Sequence, residues 1–399
     1  MTVYSEENTL SIKTDDDSDR KPSKYKKFFQ KYFFEGQKLE AKHDLKLMKA
    51  QLEPEKELSF LEKYRKYIGF LIPMGFFHLV WWTLAIRYDL FRLYPTHYEM
   101  PVTMILGATV AGMTSEGGGA VAFPVMTLLL NIDTKVARDF SLMIQSCGMT
   151  AATFTIIWMK IQIEWHAIIL SSIGATFGII FGLQFVDDLL TGPEKKMLFV
   201  SIWFSFALSL FLLNTQKKRT TFEKIQDFCW WKGAVLFGIG IVGGLCSAFA
   251  GSGVDICAFS MLTLLFRLSE KVATPTSVVL MAANTCVGFF WRQLILCEIQ
   301  PLAWEYFSIS VPVVVICAPF GSLLASHFHR LVLATFVYVL EIVAVIGFLL
   351  TGPSWNLIFT GMGIVCGSFA FFYLISKLGM YLQKDTPKNT PTLTVYYNP

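Results

Sequence analysis

The sequence predicts an all-α polytopic membrane protein made of two inverted repeats. Each repeat is a re-entrant broken-helix hairpin followed by three transmembrane helices, and an extra transmembrane helix precedes the first. Three observations carry this reading. The chain is 54% hydrophobic, with 36 Phe, 10 Trp, only 16% charged residues and a mean hydropathy of +0.50, too much apolar surface for a soluble 399-residue globule to hide. The stretch from Gly107 to Ser146 matches the stretch from Gly243 to Ala282 without a gap. Two apolar segments, 100–130 and 233–268, are too long for one crossing of about 20 residues, and a glycine cluster interrupts each, so each fits two half-length helices.

Residues 1–66 form a polar tail expected in the cytoplasm. Its acidic cluster (Asp15, Asp16, Asp17, Asp19) precedes Arg20, Lys21, Lys24, Lys26, Lys27 and Lys31, which interleave with Phe28, Phe29, Tyr32, Phe33 and Phe34. That pattern suits either a segment lying on an anionic inner leaflet or a solvated disordered tail. Residues 67–97 hold the extra span, whose apolar run begins near Ile68; lying behind a polar tail, it is read as a retained helix rather than a secretory signal. Repeat 1 occupies 98–214, with spans at 136–158, 166–186 and 197–213 after the first hairpin. A basic linker covers 215–232. Repeat 2 occupies 233–376, with apolar segments at 273–291, 306–325, 331–351 and 355–376, and 377–399 is a second cytoplasmic tail.

In the repeat, Gly117 falls on Gly253, Phe123 on Phe259, Thr127-Leu128-Leu129 on Thr263-Leu264-Leu265, Lys135-Val136-Ala137 on Lys271-Val272-Ala273, and Ser141 on Ser277. Leucine matches are cheap in apolar sequence, so the weight rests on Gly, Thr, Lys and Ser.

Loop charge decides between a spanning broken helix and a hairpin, because basic loops stay cytoplasmic. If both long segments span, a cytoplasmic N-terminus puts Lys217, Lys218, Arg219, Lys224 and Lys232 outside. If both are re-entrant, these residues fall inside, as do Arg267, Lys271, the His327–Arg330 turn and the Lys377 end, while the chargeless Thr351–Asn356 turn faces out. A hairpin plus three spans also reverses direction, so the repeats become inverted. Such repeats bind ligands near the bilayer midplane, where freed backbone groups line a polar cavity.

The two tips read Gly112-Met113-Thr114-Ser115-Glu116-Gly117-Gly118-Gly119 and Ala248-Phe249-Ala250-Gly251-Ser252-Gly253-Val254-Asp255. Glycines let a ligand approach the backbone, and the helix start that follows offers unpaired amides at a positive dipole end. Thr114, Ser115, Gly117, Gly118, Gly119, Gly251, Ser252, Gly253 and Val254 are therefore the candidate site for a small anion. The plain alternative is that these glycines only let helices cross closely. Gln145 and Asn284 are candidate donors, or ordinary helix-to-helix glue. Glu116 and Asp255 would repel an anion unless neutralised by protonation, a co-bound cation, or pairing with Arg138 or Arg292. Asp255 is favoured as the titrating group because its repeat partner is Gly119. Glu341 is a further ionisable candidate in mid-segment, or the end of an interhelical hydrogen bond.

Other chemistries fit less well. The eight Cys form no CxxC pair and no His-Cys cluster, so neither a disulfide framework nor a metal site is indicated, and no cofactor is implied. A net charge of +4 without a basic face argues against nucleic acid. For Gly251-Ser252-Gly253 the nearest base candidates, His327 and His329, sit at a segment end, and Val254 interrupts a GxGD pattern, so catalysis is not expected.

At the first tip, at Phe123-Pro124-Val125-Met126-Thr127-Leu128 and at Val272-Ala273-Thr274-Pro275-Thr276-Ser277, the chain resembles the TauE/SafE family of sulfite and organosulfonate exporters over roughly residues 98–376. It departs from that family's pattern at Val254-Asp255-Ile256 and at Arg138-Asp139-Phe140-Ser141. The resemblance implies a core of two four-segment repeats, here with an added N-terminal span, moving a small sulfur-containing or carboxylic oxyanion. A monovalent anion leaving a negative-inside cell gains about 2.3 kcal/mol per 100 mV, which agrees with export. Uptake, a proton- or cation-coupled cycle, and a channel or receptor of the same fold stay open. The protein is expected as a multi-pass plasma-membrane protein with both termini cytoplasmic; a co-transported proton or cation and a homodimer are compatible with this reading.

Overall fold

A computed structural model describes residues 64–114, 116–215, 221–328 and 330–384. The basic-aromatic tail, Ser115, Lys217 to Arg219 and His329 lie outside the described residues. The described chain is helical throughout. Helix α1 (Arg65–Tyr88) leads through two short turns to α2 (Glu99–Met113) and, past a break, α3 (Gly119–Pro124), which runs into a wide turn over Val125–Leu129. Next come α4 (Thr134–Trp158), α5 (Trp165–Phe181, extended by looser turns to Leu189) and α6 (Gly192–Thr215). The second half has α7 (Trp230–Ala250), a break, α8 (Val254–Leu264), α9 (Glu270–Phe290, extended to Leu296), α10 (Pro301–His327), α11 (Arg330–Leu350) and α12 (Trp355–Lys384).

Seven of these helices are long and apolar enough to cross a membrane: α1, α4, α5, α7, α9, α10 and α12. Two expectations need correcting. The first arm of the second broken segment is full length rather than half length, 21 residues or about 31 Å. Its first turn carries Trp230 and Trp231, and the Lys232 ammonium lies 5.5 Å from the Trp231 ring, an interfacial grouping that lengthens the arm at its polar end. The second half also carries four long helices after its break, α9 to α12, one more than hairpin-plus-three allows, and α12 runs on to Lys384.

The matched stretches share their backbone geometry in detail. Thr127 Oγ1 donates to Phe123 O at 2.8 Å, and Thr263 Oγ1 to Phe259 O at 2.7 Å. The amide of Leu130 donates to Val125 O and that of Phe266 to Met261 O; Ile132 bonds Met126 O and Leu268 bonds Leu262 O. Asn131 and Arg267, at equivalent positions, both take left-handed φ, 53° and 56°. In each half the arm after the break lies back on the arm before it: Val121 packs at Gly107, and Cys257 at Gly243, again equivalent pairs.

The halves then exchange arms. α2 packs on α10 of the second half, α7 packs on α5 of the first, and α4 packs on α9 between them. Small residues make both outer seams. A Cβ at Gly244 would stand 2.7 Å from the Ile179 amide, and one at Gly240 2.9 Å from Ser171 Cα. Across the other seam a Cβ at Gly112 would meet the Ser322 amide at 3.0 Å. Helices in lipid lack a hydrophobic drive to associate, so this backbone-to-backbone approach supplies the dispersion contact instead. Gly244→Leu should therefore cost about 1–3 kcal/mol and lower the melting temperature in detergent. Gly363→Leu, on α12 where nothing lies within 4 Å of a new Cβ, should leave it unchanged.

Candidate functional site

The breaks are built differently and meet each other. α2 stops at Met113; Thr114 turns extended (ψ 176°) and its hydroxyl donates to Val110 O at 2.9 Å and accepts from the Glu116 amide at 3.2 Å. α7 stops at Ala250 because Gly251 (φ 74°) and Gly253 (φ 154°) take conformations that L side chains rarely adopt. Asp255 then sits in the first turn of α8, where a carboxylate suits the helix dipole. Its oxygens accept from the Gly253 amide (3.0 Å), the Ser252 hydroxyl (3.3 Å) and, across the break, the Gly117 amide (2.5 Å). The Val254 amide is held by Ser247 Oγ at 3.3 Å.

α4 and α9 press on this junction from matched positions. Gln145 Nε2 donates to Ser141 O (2.9 Å) and to Gly251 O (2.8 Å), tying α4 to the second break. A Cβ at Gly117 would come 2.9 Å from both Asp255 Oδ2 and Met281 Cε, and one at Gly119 would come 2.6 Å from Gln145 Nε2. Gln145 and Met281 are equivalent in the repeat, so both halves contribute one residue to the wall around Gly117. Gly118 is roomier, its Cβ position being 3.5 Å from Met104 Cε. All the described tip residues are buried.

Several polar atoms here have no partner among the described residues: both Glu116 carboxyl oxygens, Glu341 Oε2, Gln145 Oε1, Ser141 Oγ and both ends of the Asn284 amide. Glu116 and Glu341 are each 1% exposed, and Glu116 lies within electrostatic reach of both Glu341 and Asp255. The structure thus gathers Thr114, Glu116 to Gly119, Gln145 and Gly251 to Asp255, with Glu341 behind Glu116. Ser115 is not described, and the buried Asn284 amide makes no hydrogen bond to either tip among the described residues.

Arg138 and Arg292 are not partners of Glu116 or Asp255. Arg138 pairs with Asp139 (2.8 Å) and with Asp187, while Arg292 bonds Asp139 (3.0 Å) and Glu298 (2.6 Å). Lys195 completes the network on Asp187 at 2.5 Å. All but Glu298 are nearly inaccessible, and each buried charge finds an opposite one because an unpaired charge there costs several kcal/mol. Asp139, Asp187 and Lys195 escaped the sequence reading, although Arg138-Asp139 inside an apolar segment was a signal that buried charges demand partners. The small-xxx-small spacing of Gly174/Gly178 and Gly240/Gly244 was likewise legible as a helix seam. A separate apolar groove between α1 and α10, lined by His78, Trp81, Trp82, Tyr94, Pro312 and Ile316 among others, contains none of the tip residues.

The profile of the family described as sulfite exporter TauE/SafE matches residues 100–348, from the start of α2 to near the end of α11, and so takes in both breaks, both matched stretches and the helix exchange between halves. Neither a search of curated proteins nor one of solved structures returned a match. With well over half of its length matched, this chain belongs to the TauE/SafE family of sulfite exporter-type membrane transporters.

Proposed function

We propose that the chain exports a small anion, sulfite, an organosulfonate or a related sulfur or carboxylate oxyanion, and binds it between the two glycine-rich breaks. One observation carries the reading: donors from both breaks already converge on an anionic group, the Asp255 carboxylate held by the Gly117 and Gly253 amides. A substrate oxyanion offers the same acceptor chemistry, so it can take over the Gly117 amide as the breaks part, with the Ser252 hydroxyl and the amides of Gly118 and Gly119 as further donors. Family membership supports the substrate class.

In this reading both broken segments are re-entrant, the repeats are inverted, and the breaks meet near the bilayer midplane. The fold-back of each arm, the exchange of α2 and α7 between halves and the shared turn geometry all support it. Both termini and the basic linker then face the cytoplasm of a plasma-membrane protein.

Three outcomes are expected. A cysteine placed at Lys218 in a cysteine-free background should label only from the cytoplasmic side; exclusively external labelling would make the repeats parallel and sink the hairpin reading. In vesicles loaded with sulfite, the protein should show trans-stimulated counterflow, which a channel or receptor lacks, and the preferred anion among sulfite, sulfoacetate, taurine, sulfate, thiosulfate and lactate should raise the melting temperature of the purified protein. Gly118→Ala should fold and transport, since its Cβ meets only ordinary contacts, whereas Gly118→Leu should reach the membrane yet lose counterflow by tenfold or more, about 1.4 kcal/mol. Parental transport by Gly118→Leu would refute the site. Gly253→Leu tests less, because φ of 154° strains any side chain there.

A further inference from the structure

Anion binding at the breaks leaves two buried acids without a task. Glu116 follows the first break, and Glu341 lies mid-helix on α11; each is 1% exposed. Neither Glu116 oxygen nor Glu341 Oε2 has a hydrogen-bond partner among the described residues. Glu341 and Asp255 both act electrostatically on Glu116. An ionised carboxylate in such surroundings gives up its hydration for nothing, and a second one nearby raises the cost.

Among the described residues neither acid makes an ion pair. α8 presents Asp255 and the Cys257 thiol. On α4, Arg138 and Asp139 are paired with each other and Lys135 with Asp188; α9 begins with Glu270 and Lys271 and contributes Arg292, tied to Asp139 and Glu298. On α6, Glu194 accepts from Thr191, Lys195 is held by Asp187 and Lys196 by Thr127 O, while α11 begins at Arg330 and adds Tyr338, which accepts from Asn214. α3 has no titratable residue, α2 has Glu99 in its first turn, and α10 carries Glu305, Tyr306, Cys317 and His327. Asp255 differs from both acids in its partners: its oxygens accept from two amides and a hydroxyl.

We propose that Glu116 and Glu341 form a proton-binding pair that shares one exchangeable proton and carries it with the anion through each cycle. This rests on the anion-transport reading of the same site. The carboxylic O–H breaks when the pair meets water on one side, releasing the proton to solvent, and re-forms with a proton from water on the other; nothing is oxidised or reduced. One proton per monovalent anion makes the cycle electroneutral.

Infrared spectroscopy of the purified protein at neutral pH tests the pair without any substrate. A protonated-carboxyl C=O band that shifts in D2O is expected in the parent and in Asp255→Asn, reduced or shifted in Glu116→Gln and in Glu341→Gln, and absent when both glutamates are replaced by Gln. No such band in the parent, or its persistence unchanged in the double variant, overturns the proposal. In vesicles, a one-unit pH gradient should accumulate sulfite up to about tenfold with the parent, and not at all with either glutamine variant. Intact counterflow without a pH response in the parent refutes the coupling and leaves the anion reading standing. A response to a sodium gradient in place of the pH gradient overturns the proton in favour of a metal cation. Absent counterflow in a parent that shows the band refutes the anion reading alone.

Discussion

Two helices of this chain end in the middle of apolar segments, and the amides freed there have no lipid partner to turn to. The Asp255 carboxylate resolves much of this constraint at once: it caps its own helix through Gly253 and reaches across to the Gly117 amide of the other half. The rest follows from that junction. Gly117 and Gly119 can carry no side chain because Asp255, Gln145 and Met281 crowd them, and Gly251 cannot because Ser141 and the Arg138 carbonyl stand against it. α4 and α9 must lie side by side for their matched residues to reach the same spot, and that in turn sets the crossings with α5 and α10.

Much of this was legible in the sequence because the repeat is gapless. A one-to-one register forces equivalent residues into equivalent roles, down to the threonine hydroxyls that bond back to Phe123 and Phe259 and the left-handed turns at Asn131 and Arg267. Glycine clusters marked the breaks for a similar reason, since two of their members take φ values open mainly to glycine. What stayed hidden is pairing between distant segments. No local signal says that Arg292 answers Asp139 rather than a tip carboxylate, because the partner is set by how α4 and α9 cross. The full length of α7 was missed because hydropathy cannot separate an arm that begins in an interfacial Trp-Trp-Lys turn from one that starts deeper.

Polar satisfaction divides the interior into two kinds of place. Around Arg138, Asp139, Asp187, Lys195 and Arg292, charge is matched by charge at hydrogen-bond distance, the arrangement expected where a structure must hold. Among the described residues, both Glu116 oxygens, Glu341 Oε2, Gln145 Oε1 and the Asn284 amide lack partners. Such atoms cost stability, and a fold tolerates them where groups must change partners during work.

The ion-pair network also lies at one end of the α4–α9 contact. Farther along, where the same two helices pack, the polar contacts are weak ones, Thr150 Oγ1 against Cys286 Sγ at 3.7 Å and Cys286 Sγ against Ser146 O at 3.9 Å. In a carrier that alternates between faces, tying one end firmly and the other loosely makes the two half-cycles energetically unequal. That inequality leaves net flux to the gradients, but it decides which face the empty protein spends its time presenting. Apparent affinity scales with the fraction of molecules in the competent state. The same binding groups would therefore act as a tight site from one side of the membrane and a weak one from the other, a rectifier in kinetics though not in thermodynamics.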